Sequence, residues 1–175
     1  MKQQASIFSI LLLGSLVVKN QSSNAMEKKN LEKTPVLMYS LETTLATMMN
    51  DFGEVPNDIV VKAQELGLEI TGPQIWQYEG ADGRPETVFK LDICLPVNQA
   101  SGNAGKFRFG VLPEGACISD IHKGSWAKLG DTYCRMFGEI SRKGIVPTGL
   151  CREIYHHFDM ENEEVNVTEV QVMIQ

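Results

Sequence analysis

Thr148-Gly149-Leu150-Cys151-Arg152-Glu153-Ile154-Tyr155 reads as a turn running into a strand, and the chain holds a counterpart to it. Seventy-seven residues earlier (71 against 148) stands Thr71-Gly72-Pro73-Gln74-Ile75-Trp76-Gln77-Tyr78. At the same offset Gly53 falls on Gly130, Gly67 on Gly144, and the acid Asp92 on Glu169. No gap is needed between residues 39–97 and 116–174. Glycines at turn or cap positions share one register with helical and apolar runs, which predicts a duplicated strand–helix–strand–strand unit.

The 175 residues are 43% hydrophobic and 22% charged, the composition of a soluble globular domain. A net charge of −6, with no Lys/Arg cluster, argues against binding a phosphate backbone and hence against a nucleic-acid partner. Residues 1–25 read as a secretory leader: Lys2 is the positive start, Ala5–Val18 the apolar run, and Ser23-Asn24-Ala25 the small cleavage residues. That run falls short of the roughly 20 residues a helix needs to span a bilayer, so no membrane span is expected. The expectation is export to the periplasm or medium, or a cytoplasmic protein if translation starts at Met26.

Residues 26–35 read as a flexible linker, charged and uncapped, and the domain proper as 36–175. Repeat one (36–97) begins with a strand over Val36–Met48. A helix then starts near Pro56, with Ile59, Val60, Ala63 and Leu66 at helical spacing and Gly67 as its cap. Strands at Ile70–Tyr78 and Phe89–Val97 flank a glycine- and proline-rich turn. Repeat two (107–175) follows a polar hinge. Phe107–Val111 and Ala116–Ile121 read as one strand broken at Pro113-Glu114-Gly115. Ser125 caps a helix whose Trp126, Leu129, Tyr133, Met136, Phe137 and Ile140 share a face, and Gly144 ends it. Strands at Cys151–Phe158 and Val165–Ile174 complete the unit. The predicted class is α+β with pseudo-twofold symmetry: an antiparallel sheet, two helices on one face and a concave ligand cleft on the other.

Strand alternation puts Cys151, Glu153 and Tyr155 on one face, and groups Gln74, Trp76 and Tyr78 in the same way. A twofold relation brings these strands together, so their aromatic rings and Glu153 line one cleft. A carboxylate among aromatic rings suits an apolar cation, which the ring faces attract and the carboxylate neutralises. The competing reading makes Glu153 an ordinary ion-pair partner of Arg108, Arg135 or Lys143 on a solvated strand. Trp126 stands between two roles, pocket wall or core.

Phe107 to Ile174 carries Pro113-Glu114-Gly115, His122-Lys123-Gly124-Ser125-Trp126, Arg152-Glu153-Ile154-Tyr155 and Thr168-Glu169-Val170. This order resembles the GyrI-like small-molecule-binding domain, also the effector-binding half of multidrug-responsive transcription activators. Gly72-Pro73 through Tyr78 and Leu91–Val97 are similar to its first repeat. The resemblance implies a paired-unit fold with a ligand cleft, in which a glutamate at the position of Glu153 meets cationic aromatic ligands. It implies that Tyr78 and Tyr155 belong to the same wall, and that Trp126 stands where the family often has an aromatic residue. No helix-turn-helix precedes the domain, so the resemblance does not extend to transcription, and a leader is unusual for the family.

The function expected is a stand-alone binding module for small, apolar, cationic aromatic molecules, acting in sensing or sequestration. The ligand-binding residues are Glu153, Tyr155, Tyr78, Trp76 and Trp126. One alternative is a hydrolase of strained electrophiles, with Glu153 as general acid or base and Tyr155 as donor. Another is a protein-binding inhibitor of the gyrase-inhibitor type. His122, His156 and His157 lack metal-ligand spacing with the cysteines, so neither metal nor cofactor is expected. Cys94, Cys117, Cys134 and Cys151 are an even set that export would allow to pair.

Overall fold

A computed structural model describes residues 26–100 and 102–175, and the leader expected at 1–25 lies outside them. In chain order the strands are β1 (Glu27–Leu31), β2 (Thr34–Thr43), β3 (Ile75–Glu79), β4 (Phe89–Pro96), β5 (Arg108–Leu112), β6 (Gly115–Lys123), β7 (Pro147–His157) and β8 (Val167–Ile174). Helices α1 (Met48–Phe52) and α2 (Val55–Glu65) lie between β2 and β3, and α3 (Leu129–Arg142) lies between β6 and β7. All pairings are antiparallel, and the sheet order is β1-β6-β8-β7-β3-β4-β2-β5.

That order forces the sheet to curl. Its two outer strands, β1 and β5, are joined through two residues each to β2 and β6, which lie at the opposite ends. Leu31 pairs with Gly115 and Thr34 with Leu112, so one register runs unbroken along both bends. The result is an α+β half-barrel. Its inner face carries a polar row over six strands, Ser40, Asp92, Gln77, Arg152, Gln171 and Ser119, each the cross-strand neighbour of the next. Arg152, 3% exposed, donates from Nε to Gln77 Oε1 at 3.0 Å and from Nη2 to the Pro113 carbonyl at 3.0 Å. It thereby ties the middle of the sheet to the bend between β5 and β6.

The helices sit on the other face. Val55, Ile59 and Ala63, one turn apart, bury the stripe of α2 against Leu37, Leu91 and Leu95 of β2 and β4. Met136 and Ile140 of α3 pack on Ile118, Val170 and Val172 of β6 and β8. Ile59 and Met136 are fully buried, and each such side chain contributes about 1.5–3 kcal/mol. Both helices end alike. Gly67 (φ 65) and Gly144 (φ 66) take left-handed turns, and the amides of Leu68 and Ile145 return to the carbonyls of Ala63 and Ile140 at 2.9 and 3.0 Å.

Three expectations need correction. The cleft is not opposite the helices but on their face. α2 covers one end of the sheet and α3 the other, leaving the central strands β3 and β7 open between them. The opposite face is filled by the curl, with Val36, Met38, Cys94 and Leu112 packed beside the polar row. The linker expected at 26–35 contains β1, a charged edge strand pairing Glu27 with Ser119 through Leu31 with Gly115. The strand expected over Val36–Met48 stops at Thr43. There the hydroxyls of Thr43 and Thr47 donate to Asp51 Oδ2 at 2.5 and 2.6 Å and turn the chain into α1.

The seventy-seven-residue offset holds in part. Ile75 pairs with Cys94 and Arg152 with Gln171, so the β3–β4 and β7–β8 hairpins share a register at that offset. Leu41 pairs with Leu91, but its counterpart Ile118 pairs with Val172 and not Thr168. The outer strand pairs have slipped relative to each other, and the helices differ as well.

Candidate functional site

The gap between α2 and α3 is a cavity of about 1600 Å³ floored by β3 and β7. Trp76 and Glu153 are direct neighbours across these strands, and alternation turns both toward the helices with Tyr78 and Tyr155. Glu153 is 5% exposed and is met by three phenols. Tyr155 donates to Oε2 at 2.6 Å, Tyr78 to Oε2 at 2.9 Å, and Tyr133 of α3 to Oε1 at 2.9 Å. The Tyr78 and Tyr155 oxygens are themselves 3.4 Å apart.

These contacts set the electrostatics. Burial pushes the Glu153 carboxyl above the ordinary range, opposed by the hydrogen bonds from Tyr155, Tyr133 and Tyr78 and, least, by the electrostatic effect of His122, all of which favour its charged form. Burial, then the nearby Glu153 charge, pushes all three phenols well up, so they stay protonated donors. Among the described residues no cation lies within ion-pair distance of Glu153. Arg108 turns to Asp92 on the inner face at 3.7 Å, and Arg135 pairs with Asp120. The ion-pair alternative for Glu153 is therefore overturned for both arginines. A buried carboxylate clothed only by neutral donors retains an unneutralised charge.

Aromatic rings continue on both sides. Trp76 packs edge-on against Tyr155 at 5.0 Å and against Phe52 of α1 at 4.8 Å between ring centres. Its indole donates to Gln74 Oε1 at 3.2 Å, and Gln74 in turn donates to the Pro56 carbonyl. Trp126 meets Tyr155 edge-on at 5.5 Å, and its indole donates to Thr168 Oγ1 at 3.0 Å. Five sequence-derived residues, Trp76, Tyr78, Trp126, Glu153 and Tyr155, thus border one cavity. Met49, Phe158 and Met160 stand exposed at its rim.

Tyr133 was missed. Sequence placed it with Met136 and Ile140 on a single core-facing side of the helix. α3 carries two adjacent stripes: Thr132, Met136 and Ile140 enter the core, while Leu129, Tyr133 and Phe137 border the cavity. The intervals of three and four in Leu129-Tyr133-Met136-Phe137-Ile140 hold both stripes, and the phenol was the available signal. Cys151 also lines the cavity, its thiol pushed up to about 12 by burial and by Glu153. All four cysteines carry free thiols, two of them, Cys94 and Cys117, buried. Among the described residues no His, Cys, Asp or Glu cluster fits a metal ion, and no helix is long and apolar enough to cross a membrane.

The profile of the GyrI-like small molecule binding domain matches residues 25–175. No curated protein matches the chain. Among solved structures, the C-terminal domain of EcmrR superposes with a TM-score of 0.73 at 20% identity, covering 86% of this chain and 97% of that one. In the EcmrR–DNA complex the match covers 86% of this chain and 57% of that chain, at 20% identity and a TM-score of 0.71. SAV2435 bound to tetraphenylphosphonium superposes at 0.64 with 10% identity, covering 86% and 94%. A hydrolase from Listeria innocua superposes at 0.57 with 13% identity, covering 89% and 94%. At these identities the structures share the fold.

Proposed function

Since the chain belongs to the GyrI-like small molecule binding domain family, we propose that its cavity binds apolar aromatic monocations, in sensing or sequestration. The observation that carries this reading is the state of Glu153. It is one buried carboxylate among aromatic rings, and its hydrogen-bond donors are phenols that bring no positive charge. An entering cation supplies the missing charge in a medium where a Coulomb interaction is weakly screened. The rings of Trp76, Tyr155 and Trp126 contribute cation–π attraction and apolar contact. That SAV2435 takes tetraphenylphosphonium on the same fold supports the choice of probe.

The test is calorimetric titration with tetraphenylphosphonium and with triphenylphosphine oxide, a neutral aromatic of related shape. Wild type should prefer the cation. Glu153→Gln should weaken the cation by about 2–3 kcal/mol, the Coulomb energy of two unit charges roughly 6–8 Å apart at an effective dielectric of about 20, and leave the neutral compound nearly unchanged. Equal losses for both would reduce Glu153 to a shape contact.

A second reading has its own observation. A carboxyl with its pKa pushed up, 2.6 Å from the Tyr155 hydroxyl, has the geometry of a general acid–base pair. Under it, Glu153 and Tyr155 would hydrolyse an electrophilic substrate held in the same cavity. Turnover by wild type, lost in Glu153→Gln while binding persists, would favour hydrolysis over simple capture.

A further inference from the structure

His122 lies outside the cavity, 6% exposed, on β6 beneath the start of α3. Its ring is held at both nitrogens: Nε2 is 3.0 Å from the Ser125 carbonyl and Nδ1 is 3.0 Å from Thr132 Oγ1. The carbonyl only accepts, so Nε2–H donates to it, and in the neutral ring the Thr132 hydroxyl donates to Nδ1. Thr132 is 5% exposed and directly precedes Tyr133.

Beyond the packing of Leu129, Met136 and Ile140 on β6 and β8, few polar contacts fix the beginning of α3. Lys128 at its N-cap makes no side-chain capping bond. Ser125 caps only the short 3₁₀ turn, accepting from the Ala127 amide at 3.3 Å, and its hydroxyl is given to Glu163. Two polar contacts stitch α3 along β6, His122–Thr132 and Asp120–Arg135. Arg135 is half-exposed, so its contact is the softer of the two. Successive helical residues point about 100° apart, so the direction taken by Thr132 sets the direction taken by Tyr133. We infer that His122 is a positioning residue: by clamping Thr132 it aims the Tyr133 phenol at Glu153 and so tunes the cavity's preference for cations.

This rests on the cation-binding reading above. The Tyr133 phenol supports the ionised form of Glu153, the form a cation needs. Loosening α3 loses that support without removing any atom from the cavity. His122→Asn retains an acceptor near the place of Nδ1, whereas His122→Phe retains neither contact.

The experiment is a double-mutant cycle read as the ratio of Kd for triphenylphosphine oxide to Kd for tetraphenylphosphonium. Tyr133→Phe should lower the ratio about tenfold, the loss of one hydrogen bond to a charged group. His122→Phe should lower it by a similar factor, and His122→Asn should restore much of it. In the Tyr133→Phe background, His122→Phe should change the ratio far less, because most of its effect passes through that phenol and only the ring's weaker direct influence on Glu153 is left. Thr132→Val, which keeps the shape and drops the hydroxyl, should mimic His122→Phe and serves if the histidine variant does not fold. A ratio that falls as far again in the Tyr133→Phe background, or that is untouched by Thr132→Val, overturns the inference. If wild type shows no cation preference, the cation reading itself fails.

Discussion

The β3–β4 and β7–β8 hairpins share a register, yet the units they belong to do different work in the cavity. At the seventy-seven-residue offset Tyr78 stands opposite Tyr155, and both phenols reach the same carboxylate oxygen. The carboxylate has no such equal. The counterpart of Glu153 is Trp76, its own neighbour across β3 and β7. The counterparts of Tyr133 and Trp126 are Pro56 and Met49. In the first unit Gly53 (φ 50) separates α1 from α2, whereas Gly130 lies inside the continuous α3. One unit therefore supplies charge and a helix-borne donor, and the other supplies an apolar wall. A symmetric pair would put two carboxylates side by side in a dry cleft, where at most one could ionise readily.

The largest effect should come from forcing that symmetry. Trp76→Glu places a second carboxylate beside Glu153 and removes a ring that is 9% exposed. Loss of the ring alone costs about 3–5 kcal/mol, which Trp76→Gln measures without the charge. Above about pH 5 the Glu variant should melt well below the Gln variant, and the two should converge near pH 3 as carboxyls take up protons. Identical melting curves at every pH would mean that positions 76 and 153 do not share one environment.

A second comparison sets Glu153 against Glu169, the counterpart of Asp92, on opposite faces of the sheet. Burial raises the Glu169 pKa, but hydrogen bonds from Gln171, Ser119, His156 and Lys29 outweigh it and hold the carboxyl at about 2. Its folded value lies below its unfolded one, so its stabilisation is complete above about pH 4.5 and is lost as pH falls toward 2. The contribution is no more than about 3 kcal/mol. Glu153 has the opposite sign: raised in the fold, it costs stability as pH climbs from its unfolded value through its folded one. Glu169→Gln should flatten the acid limb of a stability–pH curve, and Glu153→Gln should remove the decline on the other side. Parallel curves for both variants would contradict the assigned environments.

Much of the cavity's floor is legible in the sequence, although its asymmetry is not. Alternation along β3 and β7 grouped Glu153, Tyr155, Trp76 and Tyr78, because a strand's period of two is rigid. Gly67 and Gly144 marked the helix ends for a local reason, the left-handed turn. Which face the helices covered was not legible, since parity sorts residues into two sets without saying how a sheet curls. The curl depends on Leu31↔Gly115 and Thr34↔Leu112, pairings eighty-four and seventy-eight residues apart (115 less 31, 112 less 34). β1 was hidden for the same reason: Glu27–Leu31 becomes a strand only where β6 offers an edge. Tyr133 was obscured because an apolar helix face three or four residues wide does not reveal where core ends and cavity begins.

The smallest expected effects sharpen the comparison most, because each unit has its own tryptophan. Trp126→Phe deletes the donor to Thr168, a fully buried hydroxyl, and should cost about 1 kcal/mol for the lost bond. Trp76→Phe frees Gln74, which is half-buried and can turn to water, so its polar loss should be smaller. Both variants keep an aromatic ring against Tyr155, and neither should unfold the protein. Each retains a single tryptophan as a reporter, on the α2 side in Trp126→Phe and on the α3 side in Trp76→Phe. A tetraphenylphosphonium ion centred on Glu153 lies between the two and should quench the fluorescence of both. Quenching confined to Trp126 would place the ligand beside the unit that carries the charge and leave the first unit as structural packing. Quenching confined to Trp76 would reverse that division and separate the bound cation from the three-phenol site.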